Sequence, residues 1–225
     1  QPCRSSRGPQ AGASGGAARA GRKRCFRTRA LAGNDRFDLG DYEDRAQGLA
    51  GNDLMYGNGG NDTLEGGQGD DRLFGGTGRD GLLGGAGQDQ LIAGAGNDRL
   101  LGGTGIDQLT GGTGADVFVF ATVPDLGLRY DATDTITDFT RGQDRIDLSR
   151  IDAMPGAAGD QAFQFNGRAG ISASSRGELS FQTYDRAGTA NDVTVVGIDI
   201  DGDRSAEAVI RLNGLHNLTA SDFIL

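Results

Sequence analysis

The sequence lacks tryptophan, contains one histidine, His216, and has only two cysteines, Cys3 and Cys25. A zinc site of the H-E-x-x-H type needs two histidines on one helix, so a single histidine excludes it. Serine-centred catalysis also has no support, because no nucleophile that could pair with His216 is recognisable from the sequence. We therefore predict that this chain carries no catalytic site. His216 has no acid or cysteine near it in the sequence, which favours a turn or surface position over a role as a metal ligand.

Long apolar runs are also missing, and the charge is unevenly distributed along the chain. No segment is long enough and apolar enough to span a membrane. The net charge is −9, yet residues 1–29 contain eight basic residues and no acid, whereas residues 30–119 contain 15 acidic and five basic residues. An acidic body repels nucleic acid and attracts cations. We expect cations as partners, with neither nucleic-acid binding nor stable membrane insertion, and the oligomeric state stays open.

Glycine is abundant, with 41 residues, and much of it follows a nine-residue period. Ten consecutive blocks from Ala30 to Val119 place aspartate at position six, at Asp35, Asp44, Asp53, Asp62, Asp71, Asp80, Asp89, Asp98, Asp107 and Asp116. The seven blocks from Gly57 to Val119 also have glycine at position four and leucine, or finally Phe118, at position eight. The pattern Gly-Gly-x-Gly-x-Asp-x-apolar-x is typical of a calcium-binding parallel β-helix.

Each residue type has a physical role within one block. Glycines at positions one, two and four permit the positive φ values of a tight turn and leave backbone carbonyl oxygens uncovered. Calcium takes six to eight oxygen ligands, and the position-six carboxylate adds the negative charge that carbonyls lack. The last three residues, such as Arg72–Phe74, predict a short strand whose middle side chain points inward. Two blocks complete one coil, so each block stacks on the next but one.

Stacking places the position-six carboxylates in two rows of like charge. At a coil spacing of roughly 4.8 Å, each neighbouring pair repels by about 1 kcal/mol in water and by about 3 to 4 kcal/mol at an effective dielectric near 20. One buried leucine per block contributes only about 2 kcal/mol. We therefore predict that the repeat region is largely unfolded without calcium and folds when calcium bridges adjacent turns.

The nine-residue period ends at Val119, and the following segments have the length and apolar pattern of strands. These are residues 116–120, 134–139, 145–148, 162–165, 178–181, 193–196 and 208–212. We predict an all-β chain with three parts: a disordered basic tail or linker (1–29), a parallel β-roll (30–119) and a C-terminal β-sandwich-like cap (120–225). The cluster Arg22-Lys23-Arg24 is interpreted as part of a solvated linker rather than a nucleic-acid patch.

Gly111–Phe120, Asp134–Phe139 and Gly142–Ser149, following the repeats, resemble the C-terminal β-roll domain of serralysin-type secreted metallopeptidases, within the repeat-in-toxin proteins. The resemblance implies several calcium ions between stacked turns, with Asp62 facing Asp80 on one edge and Asp71 facing Asp89 on the other. The predicted ligands are the carboxylates of Asp53, Asp62, Asp71, Asp80, Asp89, Asp98, Asp107 and Asp116 and the turns at Gly60, Gly67, Gly69, Gly76, Gly78, Gly85, Gly87, Gly94, Gly96, Gly103 and Gly105. The early block with Tyr42 at position four and Ala46 at position eight departs from the pattern, so calcium is not expected there.

The terminal residues Ser221–Leu225, an acid followed by three apolar residues, are similar to the type I secretion signal of that family. This implies an ABC exporter as a partner and an extracellular location, with export of an extended chain and folding where calcium is abundant. The chain does not begin with methionine, so we interpret it as a fragment or processed product. A peptidase domain is then expected only in an upstream portion.

Some alternatives stay open at this point. The chain is also compatible with a non-catalytic module of a carbohydrate-modifying enzyme such as an alginate epimerase, for which the five repeat arginines are sparse, or with a secreted matrix or adhesion protein. Asp138, Asp144 and Asp147 are candidates for one more calcium site after the repeats. The segment Asp199-x-Asp201-Gly202-Asp203 favours a hairpin turn over a calcium loop, because it lacks the EF-hand spacing.

Overall fold

The computed structural model describes residues 27–29, 32–126, 133–151, 162–169, 177–185, 192–200 and 206–225, with backbone only for 27–29. The predictions about the tail before residue 27, including both cysteines, and about the turn at Asp201–Asp203 lie outside these residues. The described chain is all-β, as predicted, apart from two single 3-10 turns at Val123–Asp125 and Ala220–Asp222.

The strands of the repeat region are β1 (Arg27–Arg29), β2 (Arg36–Asp38), β3 (Arg45–Ala50), β4 (Leu54–Gly59), β5 (Thr63–Gln68), β6 (Arg72–Thr77), β7 (Gly81–Gly87), β8 (Gln90–Ala95), β9 (Arg99–Gly105), β10 (Gln108–Thr113) and β11 (Val117–Val119). The later strands are β12 (Thr135–Ile136), β13 (Arg145–Asp147), β14 (Gln164–Gly167), β15 (Glu178–Tyr184), β16 (Val193–Asp199), β17 (Ala208–Asn213) and β18 (Phe223–Ile224).

The repeat strands form two parallel sheets, one from the odd-numbered strands β1 to β11 and one from the even-numbered strands β2 to β10. Pairing joins residues 18 positions apart, as in Leu64 with Leu82 and Leu73 with Leu91. Because 18 residues are two blocks, each block stacks on the next but one, which confirms the predicted coil of a parallel β-solenoid.

The repeat strands are longer than predicted, and their inward side chains fill the space between the two sheets. Most run for six or seven residues, as in Arg72–Thr77, because the first glycines of each turn continue the ladder of hydrogen bonds. From the second block onward the position-eight side chains are buried, as the pattern predicts, and Phe37 of the first block is partly buried. They form two columns, one on each sheet: Ala46, Leu64, Leu82, Leu100 and Phe118 on one, and Met55, Leu73, Leu91 and Leu109 on the other. The hydrophobic core is therefore narrow and one side chain wide along each sheet.

The C-terminal region extends both sheets of the roll. In the odd-numbered sheet β13 pairs with β11 and β18 with β13. In the even-numbered sheet β12 pairs with β10 and β17 with β12, followed by antiparallel β16 and β15. All seven predicted segments contain a strand, and the terminal strand β18 was not predicted. The hydrogen bonding of both sheets therefore continues past Val119, where the nine-residue period ends.

The N-terminal boundary also differs from the predicted one. Arg27–Arg29, placed in the disordered tail by composition, form β1 and pair with Arg45–Gln47 of β3. The first strand of the roll therefore lies in the segment that we predicted to be a linker because of its low-complexity composition. The sequence signal was weak there because the block before Ala30 has no aspartate at position six.

Candidate metal centre

The position-six aspartates form two ladders, one along each edge of the roll. In each ladder the backbone N–H of one aspartate donates to Oδ1 of the aspartate 18 residues later. Asp62 N–H donates to Asp80 Oδ1 at 2.8 Å, and Asp71 N–H donates to Asp89 Oδ1 at 2.8 Å. The remaining repeat aspartates follow the same rule at 2.7 to 2.9 Å. The two facing pairs implied by the family resemblance are therefore brought together.

In nine of the ladder carboxylates the second oxygen is buried and has no hydrogen-bond partner. This holds for the Oδ2 atoms of Asp53, Asp62, Asp71, Asp80, Asp89, Asp98, Asp107, Asp116 and Asp134. A buried oxygen that has lost water and gained no donor costs about 1 to 3 kcal/mol, and more when it is charged. Buried carboxylate oxygens without donors, repeated at a regular spacing, are the arrangement expected of a row of cation sites.

A carbonyl oxygen from the next coil lies beside five of these Oδ2 atoms, those of Asp53, Asp62, Asp71, Asp80 and Asp89. A Cβ built on Gly75, at position one, would lie 2.5 Å from Asp80 Oδ2 and 2.6 Å from the carbonyl oxygen of Ala93. Position-one glycines do not have positive φ in the described blocks, contrary to the prediction, whereas those at positions two and four do. Glycine is needed at position one because a methyl group would fill the space between the two oxygens.

Glycines at positions two and four turn the backbone and let successive turns approach closely. Gly76 and Gly78 have φ of 109° and 131°, and every predicted turn glycine from Gly60 to Gly105 likewise has positive φ. A Cβ on Gly76 would lie 2.9 Å from the Cα of Asn58 in the preceding coil. The carbonyls at these positions therefore lie at the contact between stacked turns, where the ligand prediction places them.

Burial raises the pKa of the ladder carboxyls from Asp53 to Asp116, and of Asp134 and Asp144, above the ordinary value for aspartate. The pKa rises to about 8 for Asp134, about 7 for Asp62 and Asp89, and about 6 for Asp71, Asp107 and Asp116. Loss of water is the largest cause, the backbone hydrogen bond from the preceding coil offsets part of it, and neighbouring carboxylates raise the pKa further. The charged form of each ladder is disfavoured unless a cation neutralises it.

Two aspartates outside the repeats extend the ladders, and sequence reasoning missed this role. Asp107 N–H donates to Asp134 Oδ1 at 2.9 Å, and Asp116 N–H donates to Asp144 Oδ1 at 3.0 Å. Their offsets are 27 and 28 residues rather than 18, so the nine-residue period cannot reveal them. The available signal was their place just before the strands β12 and β13, which matches position six in a block.

The predicted additional site at Asp138, Asp144 and Asp147 does not form as one cluster. Asp138 accepts hydrogen bonds from the backbone N–H groups of Gly111 and Gly112, at 2.9 and 2.7 Å. Asp147 forms an ion pair with Arg99 at 2.9 Å, and hydrogen bonds from Ser149 and this arginine lower its pKa despite partial burial. Only Asp144 joins a ladder, so these three carboxylates serve three different parts of the fold.

Among the described residues, no group of three or more histidine, cysteine, aspartate or glutamate side chains could hold a metal ion. A site in the roll must therefore combine one or two carboxylates with backbone carbonyl oxygens. Such an all-oxygen set suits a hard cation of the calcium type, and it does not suit zinc, which prefers nitrogen and sulfur ligands.

We call the space beside a partnerless Oδ2 atom, kept open by the position-one glycine, the cradle. The early block with Tyr42 at position four lacks it. Neither Gly40 nor Tyr42 has positive φ, and Oδ2 of Asp44 accepts a hydrogen bond from Gly40 N–H at 3.1 Å. The carboxylate oxygen that has no partner in the later blocks therefore accepts a backbone hydrogen bond within the turn of this block.

A second ladder, at position five, was also missed. Asn52 N–H donates to Asn34 Oδ1 at 2.8 Å, and Asp70 N–H donates to Asn52 Oδ1 at 3.0 Å. These exposed side chains satisfy backbone donors of the next coil, in the direction opposite to the position-six ladder. The recurrence of asparagine or aspartate at position five, as in Asn61 and Asn97, was the available signal.

Removing one side chain of the position-five ladder should cost measurable stability. We expect Asn52→Ala to lower the free energy of unfolding by about 0.5 to 1.5 kcal/mol, because Asp70 N–H loses its acceptor. Gln88→Ala is the matched control, at the same position on the same edge, where the side chain accepts no such bond in the described chain. Urea unfolding in calcium measures both. An equal effect of the two substitutions would mean that the hydrogen bond contributes nothing.

His216 and the repeat arginines have structural surroundings in the described chain. His216 Nε2 lies 2.7 Å from the carbonyl oxygen of Asn213, and its ring meets the edge of Phe139 at 5.6 Å. Arg36 lies over the ring of Tyr56 in the even-numbered sheet, whereas Arg99 pairs with Asp147 in the odd-numbered sheet. The arginines are thus divided between the two faces of the roll. No helix among the described residues is long and apolar enough to cross a membrane.

Fold and site together define a nonapeptide-repeat β-roll with a row of buried carboxylate oxygens without partners along each edge. The chain belongs to the family described as Peptidase M10 serralysin C terminal, whose model matches residues 17–225. This confirms the family resemblance that the sequence motifs indicated.

The solved structures that resemble the chain include two subunits of the mannuronan C5-epimerase of Azotobacter vinelandii. The AlgE6R3 subunit is 32% identical, with 69% of this chain and 78% of that chain covered and a TM-score of 0.49. The AlgE6R2 subunit is 29% identical, with 70% and 88% covered and a TM-score of 0.45. No curated protein sequence matches the chain.

Proposed function

We propose that this chain is a calcium-binding repeat module that folds when calcium binds and that serves as the export signal of a secreted protein. The observation that carries the proposal is the row of buried Oδ2 atoms without partners, five of which lie beside a carbonyl oxygen of the next coil. Calcium supplies the positive charge that both oxygens lack. The residues that would hold it are the ladder aspartates from Asp53 to Asp116, extended by Asp134, together with turn carbonyls. Asp144 is not among them, because its Oδ2 accepts a hydrogen bond from Thr140 N–H at 2.7 Å.

Coupling of folding to calcium follows from where these carboxylates lie. Each one is brought beside another only when two coils stack, so an unfolded chain has no preformed site. Stacking without a cation buries like charges, which the raised pKa values of Asp62 and Asp89 reflect. Binding energy therefore becomes folding energy. Affinities of about 10⁻⁴ to 10⁻³ M, as in extracellular calcium modules, would leave the chain unfolded in the cytosol and folded outside.

The C-terminal residues support export of an unfolded chain. Asp222 and Phe223 are 1% and 5% exposed, and β18 is hydrogen-bonded to β13. Asp222 accepts hydrogen bonds from the backbone and hydroxyl groups of Thr219, at 2.7 and 2.9 Å. A type I exporter that reads Ser221–Leu225 would therefore need the chain before this strand docks. Calcium-triggered folding outside the cell then hides the signal and makes export irreversible.

A calcium titration of the full chain tests the proposal. From a calcium-free state to about 10 mM calcium, we expect a cooperative gain of β signal in far-ultraviolet circular dichroism, with binding of several ions by isothermal titration calorimetry. Magnesium is the control, and it should produce no transition because it requires a smaller and stricter octahedral site. A β signal already complete without calcium, or equal responses to both metals, would contradict the proposal.

A further inference from the structure

One block of the roll has a residue other than glycine at position one, which lies at the cradle. Position one is glycine in seven of the eight blocks from Gly48 to Val119, and a Cβ there would lie at most 2.5 Å from Oδ2 of the aspartate in the same block. The exception is Ala93, in the block that contains Asp98. Its side chain is fully buried, at 0% exposure.

The backbone of this block stays in register, so the methyl group of Ala93 enters the space that the other blocks leave open. Gly94 pairs with Gly76 on one side and Gly112 on the other. The carbonyl oxygen of Ala93 lies 2.6 Å from a Cβ built on Gly75, as expected for a residue stacked on position one. The additional carbon therefore leaves the pairing register unchanged.

The turn around Asp98 differs from its neighbours in two further respects. Gly96 has φ of 154°, the largest value among the position-four glycines. A Cβ built on Gly96 would lie 3.1 Å from Oδ1 of Asp98. In the next block, a Cβ built on Gly105 would have no atom of Asp107 within 3.5 Å. The carboxylate of Asp98 is therefore closer to the position-four backbone than the carboxylate of the next block.

The structural role of Asp98 is retained despite this difference. Asp80 N–H donates to Asp98 Oδ1 at 2.7 Å, and Asp98 N–H donates to Asp116 Oδ1 at 2.9 Å. Oδ2 of Asp98 remains buried without a partner. The ladder thus continues through this block, and the difference concerns the space left for an ion.

We propose that Ala93 makes the cradle of Asp98 the weak calcium site of its edge, with lower affinity than the flanking cradles of Asp80 and Asp116. This inference rests on the proposed calcium function and adds a specific position to it. At the equivalent point of the Gly75 block, a Cβ would lie 2.5 Å from the carboxylate oxygen and 2.6 Å from a carbonyl oxygen. With a methyl group at this position, an ion beside Asp98 must give up a ligand or displace the turn. Position one is accordingly a determinant of site affinity within the roll.

Isothermal titration calorimetry of the full chain with calcium tests this on the wild type, Ala93→Gly and Gly75→Ala. We expect Ala93→Gly to tighten the weakest class of sites by about tenfold or more, equivalent to about 1.4 kcal/mol. Gly75→Ala, the matched change one coil earlier on the same edge, should weaken one site by a similar factor. The melting temperature of Ala93→Gly should rise only in calcium, because glycine by itself increases the entropy of the unfolded chain.

The outcomes separate the two proposals. If the wild type binds several ions but Ala93→Gly gives the same isotherm, the inference about position one is wrong and the calcium function stands. Unchanged binding by a folded Gly75→Ala variant would also overturn it. If the wild type binds no calcium, the proposed function fails before the comparison between variants is reached.

Discussion

Without calcium, the protein is expected to gain β structure as the pH is lowered from about 8 to about 5, so that protons replace the metal. Burial raises the pKa of Asp134 to about 8 and that of Asp62 and Asp89 to about 7, against an ordinary value of 3.8. Because these folded-state values lie above the unfolded one, the folded state binds more protons across this window. The stabilisation is complete below pH 3.8 and is lost as the pH rises through 6 to 8.

The geometry explains how a proton can take the place of the ion. Oδ2 of Asp80 and the carbonyl oxygen of Ala93 flank the same point above Gly75, and neither has charge compensation from the protein. A protonated Oδ2 becomes a donor next to an acceptor, and the repulsion along the ladder disappears. In calcium the sign reverses, because the ligands must be deprotonated, so stability should rise with pH.

Circular dichroism of metal-depleted protein across this pH range measures the effect, with sedimentation to exclude aggregates near the isoelectric point. Asp62→Asn should raise the β content of the calcium-free protein at neutral pH, since an amide removes one buried charge and keeps an acceptor for Asp44 N–H. Asp41→Asn, at an exposed residue outside the ladders, is the control and should change nothing. A calcium-free β signal that is constant with pH, or that grows as the pH rises, would contradict the charge argument.

The repeat geometry was predictable because it depends on a local period. A nine-residue block fixes which residues stack 18 positions apart, and therefore that Asp62 meets Asp80 and that Leu64 meets Leu82. The reason for glycine at position one was not predictable, because it depends on oxygens from a different coil. Conformational preference suggested positive φ at Gly75, whereas the structure shows ordinary φ and a crowded cradle.

The C-terminal ends of the ladders could not be derived from the period, since they belong to segments without one. Asp134 and Asp144 reach position six of a coil through connections of different length, and their partners are set by the pairing of β12 and β13. The terminal strand β18 was missed for a related reason. Two residues of strand leave almost no pattern, and only their docking against Ile146 and Asp147 identifies them.

Gly78→Ala should prevent the repeat region from folding even at calcium concentrations that saturate the wild type. Gly78 has φ of 131°, and a Cβ there would overlap the carbonyl group of Gly60 in the preceding coil, with the carbonyl carbon 2.6 Å away. Hydrogen bonds fix the spacing on both sides, from Gly60 N–H to Thr77 at 3.0 Å and from Gly78 N–H to Ala95 at 2.8 Å. Because backbone atoms cannot rotate away as a side chain does, we expect a loss of about 4 kcal/mol or more.

Gly142→Ala is the control that separates crowding from conformational strain. Gly142 also has positive φ, at 80°, but a Cβ there would meet no atom within 4 Å, so the variant should lose only about 1 kcal/mol. Thermal unfolding in calcium compares the two variants, and similar melting temperatures would contradict the close stacking of turns. The proposed calcium sites lie between these turns, so separating two coils would remove the ligands of one from the other. Loss of folding and loss of calcium binding should therefore occur together in Gly78→Ala and not in Gly142→Ala.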